Sequence, residues 1–390
     1  MKIVVVGGGI AGTAAAHAAR GAGADVVWIV GTSGATVLAP GAFDLTPWQD
    51  RPSAEALTSE AKGLVTALGY VASDGPAWIA TSVGVVRPCR LRDAALLDLA
   101  VLPRGARIAL PRVVHAEWDA DALARTLGSD PYALERELRF EAVEISIHRF
   151  GGERDLPHLA LAARHDAEDR SAWLAARLQA HSPAPDAWLL PPWLGTRPET
   201  AARIRGAVGA PLGEAISLPP SPSGARFRQA RDALFPRRVE GFVKRVTVDL
   251  RVETETGETF TADAVVLATG GIAVGGVYYT PAEATLAGEL PTTVTPAFAL
   301  GIDADVTLGE SGRPLLQPGS AQGPQPEHLT WPHRRTPVLE RIGVLSAQAG
   351  IYAAGDVMAD APRTWLGALE SGLRAGAAAC AFAGRLSESR

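Results

Sequence analysis

Few positions in this 390-residue chain combine a chemically useful residue type with a telling spacing. The first is Gly7-x-Gly9-x-x-Gly12, set between an apolar run and an alanine-rich one. Gly7 permits a tight turn, Gly9 lets backbone approach a phosphate, and Gly12 lets a helix pack closely on a strand. A helix starting there offers free N–H groups and the positive end of its dipole, so the chemistry is phosphate capture. The acid that would bind a ribose should end the next strand, near Val30 or Gly31. Neither is acidic, and Thr32-Ser33 follows. The ribose is therefore held by a hydroxyl or backbone group, or the ligand is a mononucleotide with no second ribose.

Two more apolar runs end where backbone must pass close to something. Val265–Ala268 leads into Thr269-Gly270-Gly271, and Ile351–Ala354 leads into Gly355-Asp356. A carboxylate at such a strand end can accept hydrogen bonds from sugar or ribityl hydroxyls; its ordinary alternative is a helix cap or turn. Ser371-Gly372 and Gly376 follow inside a small-residue helix, where glycine costs stability. Close approach of a ligand, or of the first strand–helix unit, would explain them. Asp44 after Gly41 is a candidate proton-handling or positioning residue. Arg87 and Arg226 carry planar forks suited to phosphate or carboxylate. His333-Arg334-Arg335 reads as an exposed loop, with a substrate clamp as its alternative, and His115, His148 and His158 lack metal-ligand spacing. Cys89 and Cys380 are too few for a disulfide framework, a zinc site or an iron–sulfur cluster, and a reducing cytoplasm fits them.

The elements that must position these residues are partly legible. Lys2–Val6, a helix over 10–22 and Asp25–Val30 read as one βαβ unit. Met1-Lys2 before Ile3–Val6 is too short a run for a signal peptide. A middle block from about residue 76 to 241 holds strands at Arg107–Leu110 and Trp188–Leu190. It also holds helices at Ala120–Leu127 and Ser171–Ala180. Phe242–Glu253 and Thr259–Phe260 read as a hairpin about Thr256-Gly257, followed by the strand at 264–268. The segment from about 275 to 341 is rich in Pro, Gly and Thr and is taken as a substrate-side insertion. The chain then closes with a strand at 350–354 and a helix over 365–384.

Hydrophobic content is 47%, charged content 20% and net charge −5, which is ordinary for a globular chain. No dense Lys/Arg run suits nucleic acid, and no run of about 18 uninterrupted apolar residues suits a membrane span.

In this order, the three glycine-ended motifs resemble the two-dinucleotide-binding-domain flavoproteins, the fumarate reductase and glutathione reductase superfamily. A closer resemblance is to the B subunits of anaerobic glycerol-3-phosphate dehydrogenases. It is carried by Val30–Ala35, Pro40–Leu45, Gly84–Arg87, Leu190–Gly195, Leu218–Ser221 with Gly224–Arg226, and Ala268–Gly271 with Gly275-Gly276. Asp360–Gly367 departs from that family, which has a glycine- and cysteine-rich stretch there.

The resemblance implies an α/β fold: a Rossmann-like FAD/NAD(P)-binding domain with a second, inserted α+β substrate or cap domain. The flavin domain would comprise 1–75, 242–274 and 342–390, and the cap 76–241 and 275–341. It implies noncovalent flavin, FAD or FMN, since no His or Cys sits at an attachment motif. The cofactor-facing set would be Gly7, Gly9, Ile10, Ala11, Gly12, Gly31, Thr32, Ser33, Gly41, Val243, Thr269, Gly270, Gly271, Gly355, Asp356, Ser371 and Gly372. Asp44, Arg87 and Arg226 would serve a small hydroxylated or phosphorylated substrate. Partners would be an FAD-containing catalytic subunit and an iron–sulfur subunit, with membrane association only through them. The rival expectations are a self-contained FAD oxidoreductase of a small acid or amine, and a non-catalytic flavin-bearing assembly subunit.

Overall fold

The computed structural model describes residues 1–31, 34–43, 57–271, 274–281, 298–310, 342–347, 349–359 and 363–388. They fall into two compact units. One combines Met1–Thr36 with the described residues from Pro236 onward; the other comprises the described residues between 37 and 235.

The first unit is built on five parallel strands in the order Val239–Glu240, Asp25–Val30, Lys2–Val6, Ala264–Leu267, Ile351–Ala353. Their apolar runs are continuous because the central strands are covered on both faces. On one face Val4, Val6, Ile29, Val265, Leu267 and Ile351 form a core with Val246 and Val252 of a small antiparallel sheet. Each such side chain contributes about 1.5–3 kcal/mol on leaving water. Helices Ile10–Gly21 and Trp365–Glu388 also belong to this unit, and their contact explains the helical glycines. A Cβ on Gly372 or Gly376 would strike the carbonyl of Ala11 or Ala15, and Cys380 Sγ reaches Ala19 O at 3.7 Å. Two stripes of four-residue spacing thus meet backbone to backbone. Of the two explanations for these glycines, approach to the first βαβ unit is the one the structure displays.

The small antiparallel sheet differs from the expected hairpin. The single long strand read over 242–253 is two, Val243–Val246 and Arg251–Thr254, followed by Thr259–Thr261. The chain reverses at Thr247–Leu250, where Leu250 has a φ of 58° and Thr247 Oγ1 bonds the Asp249 carboxylate. No glycine marks that turn, so alternation alone ran through it.

The second unit contains a three-stranded antiparallel sheet, Ala42–Phe43, Val86–Asp93 and Tyr70–Ala80, and a four-stranded parallel sheet. The parallel order is Arg139–Glu144, Arg107–Arg112, Ala187–Leu190, Leu212–Glu214. Alternate residues feed two cores. Ile108, Leu110 and Leu189 pack with Leu123 and Leu127 of one helix. Ala109, Trp188 and Leu190 pack with Leu161, Leu174, Leu178 and Ile204 of others. The carboxyl ends of both parallel sheets are therefore the places to look for ligands.

Candidate functional site

At the carboxyl end of Lys2–Val6 the chain turns through Gly7, whose φ is 120°. A Cβ at Gly7 would meet the Ala268 carbonyl, and one at Gly12 would meet the Gly7 carbonyl. Trp28 Nε1 donates to Gly7 O at 2.9 Å, and Gly7 N donates to Ile29 O at 2.9 Å, so the turn is tied to the neighbouring strand. Gly9 is the N-cap of the helix, in extended conformation, with no side chain capping it and no acid in the first turn. Thr36 Oγ1 accepts from Ile10 N at 3.0 Å. The next two amides, of Ala11 and Gly12, have no acceptor among the described residues. Such helix-terminal donors are the groups that hold anions.

The other two motifs come to the same place. Gly355, with a φ of 73°, lies against Ala11: a Cβ on it would sit 2.8 Å from that of Ala11. A Cβ on Gly271 would sit 2.8 Å from Asp356 O. Thr269 Oγ1 is buried and makes no hydrogen bond. The Asp356 carboxylate is half-buried and also accepts none among the described residues; burial pushes its pKa up, with the Arg363 guanidinium acting against that. Arg363 instead donates to the Asp356 carbonyl. A buried hydroxyl and a desolvated carboxylate without partners are costly unless a ligand meets them. Two free amides, one hydroxyl and one carboxylate around glycine-thinned backbone fit the phosphate and polyhydroxyl chain of a flavin nucleotide.

The remaining expected residues divide. Ser371 supports the site from behind: its Oγ accepts from Gly355 N at 2.9 Å and donates to Ala368 O at 3.1 Å. Gly372 lies in the helix contact. Gly270, with a φ of 84°, and Gly271 form the turn after the fourth strand, with Gly276 N donating to Gly271 O at 3.1 Å. Val243 packs on the core beneath the sheet. Gly31 lies under the Phe242 ring, 2.9 Å from where a Cβ would be. An aromatic ring thus fills the space a ribose-binding acid would take. Gly41 is in the second unit, packed on Ser223 and Asp93. Thr32, Ser33, Asp44 and His333–Arg335 lie outside the described residues.

The two candidate arginines have opposite surroundings. Arg226 is 3% exposed and donates to Asp93 at 2.8 Å, Glu214 at 2.6 Å and the Gly195 carbonyl at 2.5 Å. With its fork spent on two buried carboxylates, it organises the core of the second unit and has little left for substrate. Burial pushes Glu214 up, against the pull of Arg226. Arg87 is half-buried on Val86–Asp93, and its side chain has no hydrogen bond or ion pair among the described residues.

Histidines without spacing in sequence converge in space. His115, Glu117 and His158 bring ligand atoms within 4.8 Å of one another. Their hydrogen bonds nonetheless oppose a metal. Trp193 Nε1 donates to His158 Nδ1 at 2.8 Å, which places the imidazole proton on Nε2, where it meets Glu117 Oε2 at 3.1 Å. His115 Nε2 reaches Leu156 O at 2.9 Å, and its Nδ1 accepts from Glu117 N at 3.2 Å. A metal-binding histidine donates with its second nitrogen; His158 accepts with it. Burial holds His158 near 4, with His115 adding to the effect.

No family model matches the chain, and no curated protein does. Among solved structures it is similar to the cyclohexylamine oxidase from Brevibacterium oxydans IH-35A, at 16% identity and a TM-score of 0.30 over 99% of each chain. It is similar to the thioredoxin reductase of T. acidophilum at 12% identity and a TM-score of 0.22, over 99% of this chain and 98% of that one. An oxidoreductase from Agrobacterium tumefaciens gives 10% identity and a TM-score of 0.20, over 100% and 99%. Likenesses this weak carry no functional argument, which rests on the geometry above.

Proposed function

We propose that this protein is a flavin-dependent oxidoreductase that holds its flavin noncovalently at the carboxyl ends of the first parallel sheet. The observation that carries the reading is the meeting of unpartnered polar groups there: the Ala11 and Gly12 amides, Thr269 Oγ1 and the Asp356 carboxylate. The amides bind phosphate, and Thr269 and Asp356 orient the hydroxylated chain. A bound flavin supplies the electron-transfer chemistry. We favour FMN over FAD because the strand end at Gly31 carries no carboxylate for a second ribose; the Phe242 ring lies against Gly31 instead. The finer reading follows the B-subunit resemblance: electrons pass between a small hydroxylated or phosphorylated substrate, or a partner subunit, and an acceptor. The partners would be an FAD-bearing catalytic subunit and an iron–sulfur subunit.

Acid precipitation of purified protein, with mass analysis of what is released, tests this. FMN is expected in the supernatant. Recovery of FAD transfers support to a self-contained FAD enzyme. A pellet that stays yellow overturns noncovalent binding, and protein without flavin after reconstitution overturns the whole reading. Co-purification with a cysteine-rich chain tests the partnership.

A further inference from the structure

The second unit has a cleft of its own, unrelated to the flavin reading. About 700 Å³ in volume, it lies at the carboxyl ends of the adjacent parallel strands Arg107–Arg112 and Arg139–Glu144. Ligands of open parallel sheets bind outside such strand ends, and clefts of this size hold small organic molecules.

Its wall is cationic in a specific way. Arg112 is neutralised by Asp121 at 2.7 Å and Glu144 at 3.0 Å, and Arg149 by Asp169 at 2.8 Å. Arg154 and Arg177 line the same cleft without a carboxylate partner among the described residues. Each is anchored by Nε alone, to Gly151 O at 2.9 Å and Ser146 O at 3.3 Å, which leaves both terminal amino edges free. His148 is on the wall too, its Nε2 buried without a partner.

The loop carrying His148 and Arg154 is fixed from below, and Arg177 stands on the helix Glu168–Gln179. Buried Glu153 accepts from the Arg149 amide at 2.7 Å, the Phe150 amide at 3.3 Å, Arg164 at 3.0 Å and Arg170 at 2.7 Å. Two guanidinium groups lining one cleft with their terminal nitrogens unbonded suit a dianion, and bidentate recognition of phosphate is what such forks do best. The same cleft also exposes apolar surface: Val114 is 73% and Phe150 60% exposed. A bare anion would leave that surface wet.

The geometry points to a binding site for an organic phosphomonoester. Its phosphate lies between Arg154 and Arg177, and its flat or apolar body lies against Val114 and Phe150. Phenyl phosphate is the probe, titrated calorimetrically into the full chain carrying its cofactor. Saturable binding is expected, about tenfold tighter than that of inorganic phosphate and lost by about tenfold in R154Q/R177Q. Both substituted side chains are exposed, so the variant keeps its melting temperature and cofactor content. Three results overturn the site: no saturation on the order of 10 mM, binding indifferent to R154Q/R177Q, or inorganic phosphate binding as tightly as the ester. Loss of bound flavin in wild-type protein would count against the proposed function and leave these outcomes readable, because the two sites share no residue.

Discussion

The two parallel sheets present their carboxyl ends to ligands in different ways. In the first unit, glycine strips side chains from the strand ends, and what faces a ligand is backbone amide with one hydroxyl and one carboxylate. In the second unit the strand ends carry long charged side chains, and ionic contacts decide which of them stay available. The first arrangement tolerates almost no added atom; the second is adjustable residue by residue. One architecture therefore supports two recognition styles, distinguished by whether backbone or side chain meets the ligand.

Substitutions can break that contrast, beginning with the largest effect. Arg226→Met strands Asp93 and Glu214 in the core, and should cost about 4 kcal/mol in chemical denaturation. Unchanged stability would mean the two carboxylates find other partners. Gly7→Ala places a Cβ against the Ala268 carbonyl at a φ that L-residues avoid. A loss between about 3 and 4 kcal/mol is expected, together with loss of bound flavin. Retention of both would remove the close-approach account of the loop.

Acid should separate the units. His165 is buried and held near 4, chiefly by desolvation, with Arg170 adding to it. His158 is likewise held near 4. A histidine with a lowered folded pKa binds its proton more readily when unfolded. Its stabilising effect is thus complete above the unfolded value of 6.5 and is lost as pH falls towards 4. For His165 that amounts to about 3 kcal/mol. Melting curves across this range should fall, and His165→Phe should flatten them; a flat wild-type profile would refute the assignment.

The smallest effect on stability is the most diagnostic for function. Thr269→Val removes a buried hydroxyl that has no partner, so stability should hold or rise by about 1 kcal/mol while flavin affinity falls about tenfold. Fluorescence titration of the apo-protein reads the affinity. An unchanged value would place the flavin elsewhere.

Much of the first sheet was legible because its strands are buried on both faces and therefore spell continuous apolar runs, as in Ile3–Val6 and Val265–Leu267. The turn at Thr247–Leu250 was not, since Leu250 adopts its positive φ without a glycine to announce it. The role of Arg226 was misjudged for a similar reason. Its partners lie 133 and 12 residues away, and nothing local distinguishes a buried arginine from a ligand-binding one. The converging histidines were hidden in the same way: His115 lies in the loop after Arg107–Arg112, and His158 begins the helix His158–His165.

The sequence by itself determined the glycine loop, its flanking strands and the absence of an acid at Gly31, because these depend on steric rules that act within a few residues. Only the tertiary structure decided that Gly372 and Gly376 serve a helix contact, that Arg226 is spent in the core, and that Arg154 and Arg177 have no carboxylate partner among the described residues. Those outcomes turn on which distant carbonyl or carboxylate arrives first, and that is set by packing.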